Sequence, residues 1–594
     1  MKPFRSIGAS ALLFSLILGV AHAAGADAPD LDSRRKALDS LIKEQWEYTM
    51  RNNPEWASII GDKRYNDRLS DFSQAAIEAD IEASGVWLKR FEAIDTAGFP
   101  VQEQLNKDLM VRSLRQGLES ARFKDWQMPV AQNSGIHIDA PQLAASLAFD
   151  TVKDYEDYIA RLRQLPRLFN ETTIQMQKGI KDRMMPPDFL IPKIAKQSET
   201  IAAMKPAASP FAEPLTRFPA TFTAADKARL SKDMLAAVSN DVMPAYKKFS
   251  TFVKTKYQPH GRKHVGLWSL PDGEARYTFR AKTSTTTDKT PEEIHQIGLA
   301  EVARIEGQML ATANKLGFKD LKTFNASIAA NPELHPKSRQ HIIDLYNKYT
   351  DQMYAKLPEL FTLMPKGKMK VVQIEEFREK GASGAQYNQG TPDGSRVGRV
   401  MVNTGDFAKR STIGIETTAL HEGVPGHHMQ IAIGQELPAL PQFRTQGNYT
   451  AYAEGWALYS ERLGLETGFF SDPYSYYGHL QDEMLRAIRL VVDTGLHYKK
   501  WNRQQVVDYF HAHSGIEEVE VQSETDRYIV WPGQALGYKI GQLKILELRA
   551  YAKEQLGSKF DIRAFHDQIL GAGALPMDVL EARIKTWVAG QKSA

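Results

Sequence analysis

The stretch His421-Glu422-Gly423-Val424-Pro425-Gly426-His427-His428 limits what this chain can fold into more than any other. In a regular helix, groups four residues apart share a face. A His-Glu-x-x-His pattern uses that spacing to aim two imidazoles at one point. Here Pro425 stands where the second histidine would be. Proline lacks the backbone donor that a helix interior needs, and Gly426 accepts backbone angles closed to other residues. The helix must bulge or unwind after Glu422. A two-residue bulge brings His427 to the face of His421. His428 is the competitor. It shares that face on an ideal helix but lies about 10 Å along the axis, too far for both rings to sit about 2 Å from one ion.

A second stretch, Tyr452-Ala453-Glu454-Gly455-Trp456, completes the pattern. Residues 449–465 read as a helix with a small, apolar face at Ala453, Trp456, Ala457 and Ser460. A carboxylate beside such a face needs a partner if it is buried. A helix crossing the first would deliver Glu454 as a third ligand. The expected metal set is therefore His421, His427 and Glu454. The chain has no cysteine, so a zinc ion would have to use histidine and carboxylate ligands. Glu422 adjoins a ligand but points to another side, which suits a general base acting on metal-activated water. The plainer reading is a capped helix carrying surface histidines.

His-Glu-x-x-Pro-Gly-His-His followed by Tyr-x-Glu-Gly-Trp resembles the DUF885 family of bacterial secreted proteins. These are similar to gluzincin metallopeptidases, in which two histidines and a downstream glutamate bind zinc. The resemblance extends over nearly the whole mature chain, including Gly61-Asp62, Asn388 to Asp406 and Arg527 to Gly541. It implies Zn2+ as cofactor and a peptide as substrate. In the simpler gluzincins a glycine often precedes the second histidine, as Gly426 precedes His427. Some carry an aspartate four residues after the third ligand. Leu458 stands there in this chain, so the group orienting a ligand histidine must come from elsewhere.

Two later segments supply candidates for supporting roles. Asp493 and His497 are four apart on one helical face. Asp493 could orient a ligand histidine, and His497 could donate to a developing oxyanion. The alternative is a buried pair that holds helices together. Gluzincins commonly use a tyrosine or histidine from a later segment as oxyanion donor, and the resemblance makes Tyr538 the first choice and Tyr528 the reserve. Arg527 or Lys539 could hold a substrate carboxylate. An aromatic turn with a structural role is the alternative for this segment.

The rest of the chain frames these groups. Helical spacing recurs over 33–52, 77–91, 101–123, 154–185 and 223–255, and Thr290-Pro291-Glu292-Glu293 is a capped helix start. Residues 369–374 and 397–402 are β-rich, with turn chemistry over 387–395. The expected fold is mainly α: a large helical, two-lobed, metallopeptidase-like body with a small β-sheet edging a central cleft. An edge strand there could pair with an extended peptide. The lobes would span about 36–220 and 221–594, with prolines 206, 210, 214 and 219 at the crossing. Residues 1–23 read as a cleavable signal peptide, with Lys2 and Arg5, a short apolar run and Ala21-His22-Ala23. Residues 24–35 read as a linker. No later stretch is long enough to span a bilayer, and with no cysteine a lipid on that residue type is excluded. The formal charge is +4, without a basic tract, so nucleic acid is not an expected partner. The expected activity is zinc-dependent hydrolysis of peptide bonds in short peptides, of oligopeptidase or carboxypeptidase type, in the periplasm or outside the cell. The alternatives are a zinc-free extracytoplasmic peptide-binding protein and a zinc hydrolase of another amide or ester.

Overall fold

The computed structural model describes residues 30–593 except 375, 377–378, 380–382, 392–393, 395 and 439. The expected signal peptide, the linker up to 29, and turn positions Pro392, Asp393 and Ser395 lie outside the described residues. Among these residues the chain is mainly helical with one three-stranded sheet. Among the described residues, no helix is long and apolar enough to cross a membrane.

The first helix, Leu31–Asn52, starts earlier than its apolar spacing shows. Asp30 caps it by accepting the Ser33 N–H. Residues 31–35 are therefore helix and not linker. The next core is built on the helix Val152–Asp182, which opens with a capping box at Thr151. Tyr155, Tyr158, Leu162, Phe169 and Met176 are buried along it. The helices Ala224–Ala237 and Met243–Phe252 lay Leu230, Met234, Tyr246 and Phe249 on the same core. That core runs on to Tyr257, and Phe211 in the proline-rich turn is buried in it. The expected boundary at 220 thus falls inside one packed unit. Proline there marks tight turns and not a crossing between bodies.

In the C-terminal part, the expected capping box opens the helix Pro291–Lys315 at Thr290. This helix packs along Pro473–His497. Two further helices, Thr450–Thr467 and Leu536–Leu556, touch backbone to backbone at Gly455 and Gly541, where a methyl on either would overlap the main chain of its partner. Around that contact Leu420, Val424, Trp456, Tyr459, Leu463 and Ile545 are all buried. Each such side chain contributes about 1.5–3 kcal/mol of transfer free energy.

The sheet comprises β1 (Met369–Gln373), β2 (Ala385–Asn388) and β3 (Gly398–Val402). Its order is β1-β3-β2, with β3 parallel to β1 and antiparallel to β2. β1 and β3 match the β-rich stretches of the sequence. β2 does not, since it overlaps the residues read as a turn. Ala385, Val400 and Val402 pack on Ile342 and Tyr346 of the helix Arg339–Leu360 and on Ile415 and Ala419 of the motif helix.

Candidate metal centre

The motif helix, Ile415–Glu422, ends at Gly423, whose N–H still bonds the Ala419 carbonyl at 3.0 Å. The chain then turns through Val424, Pro425 and Gly426 and resumes as helix at His427–Glu436. Gly426 donates to the Leu420 carbonyl at 3.1 Å, and a side chain there would overlap the carbonyl oxygens of Leu420 and His421. The indole N–H of Trp456 bonds the Pro425 carbonyl at 2.8 Å. The break is therefore fixed from inside by glycine and from outside by the crossing helix.

This break sets the two imidazoles 4.8 Å apart with perpendicular rings. Their Nε2 atoms lie 3.6 Å (His421) and 3.3 Å (His427) from Oε2 of Glu454. One ligand atom from each of the three side chains falls within 4.8 Å of the others. Zinc bound at about 2.0–2.2 Å by such atoms separates them by about 3.3–3.6 Å, so the donor set and its spacing suit that ion. Oε2 of Glu454 is buried and makes no well-formed hydrogen bond; only the two imidazoles face it, so a cation, either an imidazolium or a metal ion, must balance its charge. Burial opposes charge on His421, but Glu454, Glu461 and Glu422 outweigh it and hold its pKa well above the imidazole range. Burial likewise opposes charge on Glu454, yet His427 and His421 hold its carboxyl well below the usual range. The two shifts have one source: the imidazoles and the carboxylates favour each other's charged forms. His428 turns away: its Nδ1 meets the Tyr387 hydroxyl of β2 at 3.0 Å, and burial lowers its pKa to about 4.

The group orienting His421 is Glu461, which the sequence reading missed. Its Oε1 lies 2.7 Å from Nδ1 of His421, and its side chain is 1% exposed. It sits seven residues after Glu454, two turns on along the same face. That spacing was the available signal. Fixing Nδ1–H leaves Nε2 free to bind. Glu461→Gln is expected to weaken zinc binding about 10- to 100-fold with little loss of helix content, read by competition with a chromogenic chelator.

The family described as "Bacterial protein of unknown function (DUF885)" matches residues 54–584. The chain belongs to DUF885. No curated protein matches it. Its structure is similar to that of the "putative lipoprotein from Colwellia psychrerythraea", at 30% identity and TM-score 0.89, covering 94% of this chain and 99% of that one. A "putative lipoprotein of unknown function from Shewanella oneidensis" shares the fold at 17% identity and TM-score 0.72, covering 93% and 99%.

The remaining expected site residues of this DUF885 chain divide clearly. Glu422 is buried to 9% exposure beside His421. The turn that bears Tyr538 lies next to the turn that bears Glu454 on the crossing helix. Gln542, one turn after Tyr538, donates to the carbonyl of Leu458, one turn after Glu454. The Tyr538 hydroxyl accepts from Arg527 at 3.2 Å, so its own proton stays free to donate, and Arg489 stacks on the ring at 4.6 Å. His497 is not brought to the triad. Its Nδ1 accepts the Leu267 N–H at 3.0 Å and its Nε2 lies 3.0 Å from the Tyr528 carbonyl. It also sits about 27 Å along its helix from His479, which shares the neighbourhood of Glu461. Asp493 does not orient a ligand either: it accepts from the Tyr277 hydroxyl at 2.7 Å and the Gly533 N–H at 3.0 Å. Burial lifts its carboxyl to about 7. Tyr528 is occupied by Glu524 and Arg489. Lys539 is buried against Glu301 (2.9 Å) and Glu483 (2.6 Å), and Arg527 is paired with Glu524 and Gln534. Neither is free for a substrate.

Proposed function

We propose that this protein is a zinc-dependent peptidase acting outside the cytoplasm, with a cleft that admits short peptides between two lobes. The observation that carries this reading is the convergence of His421, His427 and Glu454, whose buried carboxylate oxygen has the two imidazole Nε2 atoms as its nearest polar neighbours. When bound, Zn2+ would polarise the scissile carbonyl and bring a water pKa near neutral. Glu422 takes the proton of the attacking water and hands it to the leaving amine. Tyr538 donates its free phenol proton toward the oxygen that gains charge. Glu461 keeps His421 in the tautomer that presents Nε2 inward. The charged, apolar and small-residue segments at the N-terminus support export, as does the lipoprotein description of the Colwellia relative.

The test is metal analysis joined to a peptide-library digest. Purified protein is expected to carry one zinc per chain, and His421→Ala and Glu454→Ala are expected to lose it. The digest should show cleavage of peptides and not of matched esters or muropeptides. Protein that binds no zinc and captures peptides intact would replace this reading with a binding protein.

A further inference from the structure

We propose that a cavity behind the motif helix is a second binding site, separate from the metal centre, which takes a short zwitterionic peptide with its ammonium group on Glu416 and its carboxylate on Lys348. The proposal goes beyond the peptidase reading and does not rest on it. The cavity has a volume of about 650 Å³, within the range of small-ligand sites. One wall is the helix Arg339–Leu360, which presents Lys348 and Tyr349. The other is the turn that joins the helices Thr450–Thr467 and Pro473–His497, with Phe469 and Asp472. Ile413 and Glu416, at the start of the motif helix, close it. None of His421, Glu422, His427 and Glu454 lines it. Glu416 and His421 are five residues apart on one helix, which sets their side chains about 140° apart around its axis. The cavity and the metal centre therefore lie on different faces of the same element.

Elimination among the charged lining residues picks out two. Glu333 pairs with Lys337 at 3.9 Å, Lys356 pairs with Glu359 at 3.0 Å, and Nδ1 of His341 accepts the Lys337 N–H at 3.0 Å. Asp472 caps the helix Pro473–His497, accepting from the N–H groups of Tyr474 and Ser475 at 3.0 Å each. Glu416 and Lys348 are left, one of each sign. Glu416 is 7% exposed. Its Oε1 accepts the Phe470 N–H at 2.9 Å, and among the described residues it has no other hydrogen bond and no ion pair. A carboxylate taken this far from water needs a cation, and the cavity is where one can enter. Ile413 and Phe469, both buried, line the same space, so the cation that fits carries an apolar body. Lys348 is exposed, with Nζ 5.1 Å from the centre of the Tyr349 ring, and makes no ion pair among the described residues. Glu416 and Lys348 do not pair with each other. A molecule charged at both ends, with its apolar body over Phe469 and Tyr349, satisfies both.

The test is calorimetric titration of full-length Glu422→Gln protein with added zinc, which under the peptidase reading leaves the probes intact. The probes are Leu-Leu, N-acetyl-Leu-Leu and Leu-Leu amide. Leu-Leu is expected to bind about 10- to 100-fold tighter than its acetyl form, the worth of a hydrogen bond to a charged group. It should bind about two- to fivefold tighter than its amide, since Lys348 is exposed. Adding Glu416→Gln should erase the first difference, and adding Lys348→Gln the second. Glutamine keeps an acceptor for the Phe470 N–H, and an unchanged melting temperature checks that the turn still forms. Should Glu416→Gln not fold, the exposed Lys348→Gln decides the case on the amide difference. Adding His421→Ala should leave every affinity unchanged. No binding of Leu-Leu, equal binding of the dipeptide and its acetyl form, or a difference that survives Glu416→Gln overturns the proposal. So does loss of binding in His421→Ala, which assigns the peptide to the metal centre and leaves the peptidase reading standing. Binding on the expected terms by unsubstituted protein that holds no zinc and cleaves nothing sinks the peptidase reading and leaves the cavity site standing.

Discussion

Glu422→Gln is expected to lower kcat on a susceptible peptide by about 10²- to 10⁴-fold, the usual share of a positioned acid–base group, while zinc content stays at the level of the unsubstituted protein. The separation of the two readouts follows from position. Glu422 adjoins the ligand His421 but contributes no atom to the cluster of His421, His427 and Glu454. Glutamine keeps the size and removes only the proton-accepting charge. Metal analysis and steady-state kinetics on the same preparation check it. A variant that loses both zinc and activity would show that Glu422 helps hold the ion. One that keeps both would remove it from the chemistry.

Gly426→Ala is expected to cost about 1–3 kcal/mol of stability, the range for forcing atoms into a full site, and to weaken zinc binding as strongly as His427→Ala does. The added methyl meets two carbonyl oxygens of the preceding helix, which are main chain and cannot rotate away. Relief requires the turn to open, and His427 is the next residue. Gly423→Ala, which meets the Ala419 oxygen at 2.7 Å, should act in the same direction less strongly. Denaturant unfolding and zinc competition decide the matter. Normal zinc affinity in Gly426→Ala would mean that the close turn is not what aims His427.

The sequence carried the triad because its logic is local. Pro425 and Gly426 announce a broken helix, and ligand reach then favours His427 over His428. The capped start at Thr290 was legible for the same reason. Glu461 was equally local, seven residues from Glu454, but nothing in a string distinguishes a glutamate that meets an imidazole from one that meets water. His497 and Asp493 failed differently. Their i, i+4 spacing is real, yet the partners that claim them, Leu267, Tyr528, Tyr277 and Gly533, come from distant segments. Strand β2 was hidden because its pairing with β3 is set across the sheet, while its own four residues carry little β preference.

The contact between Gly455 and Gly541 bears on how a chain of this fold could change. With main chain resting directly on main chain, the offset between the carboxylate at 454 and the phenol at 538 is a property of two rods touching, not of the side chains that pad them. Side chains around the cluster can then change without altering the offset between those two groups.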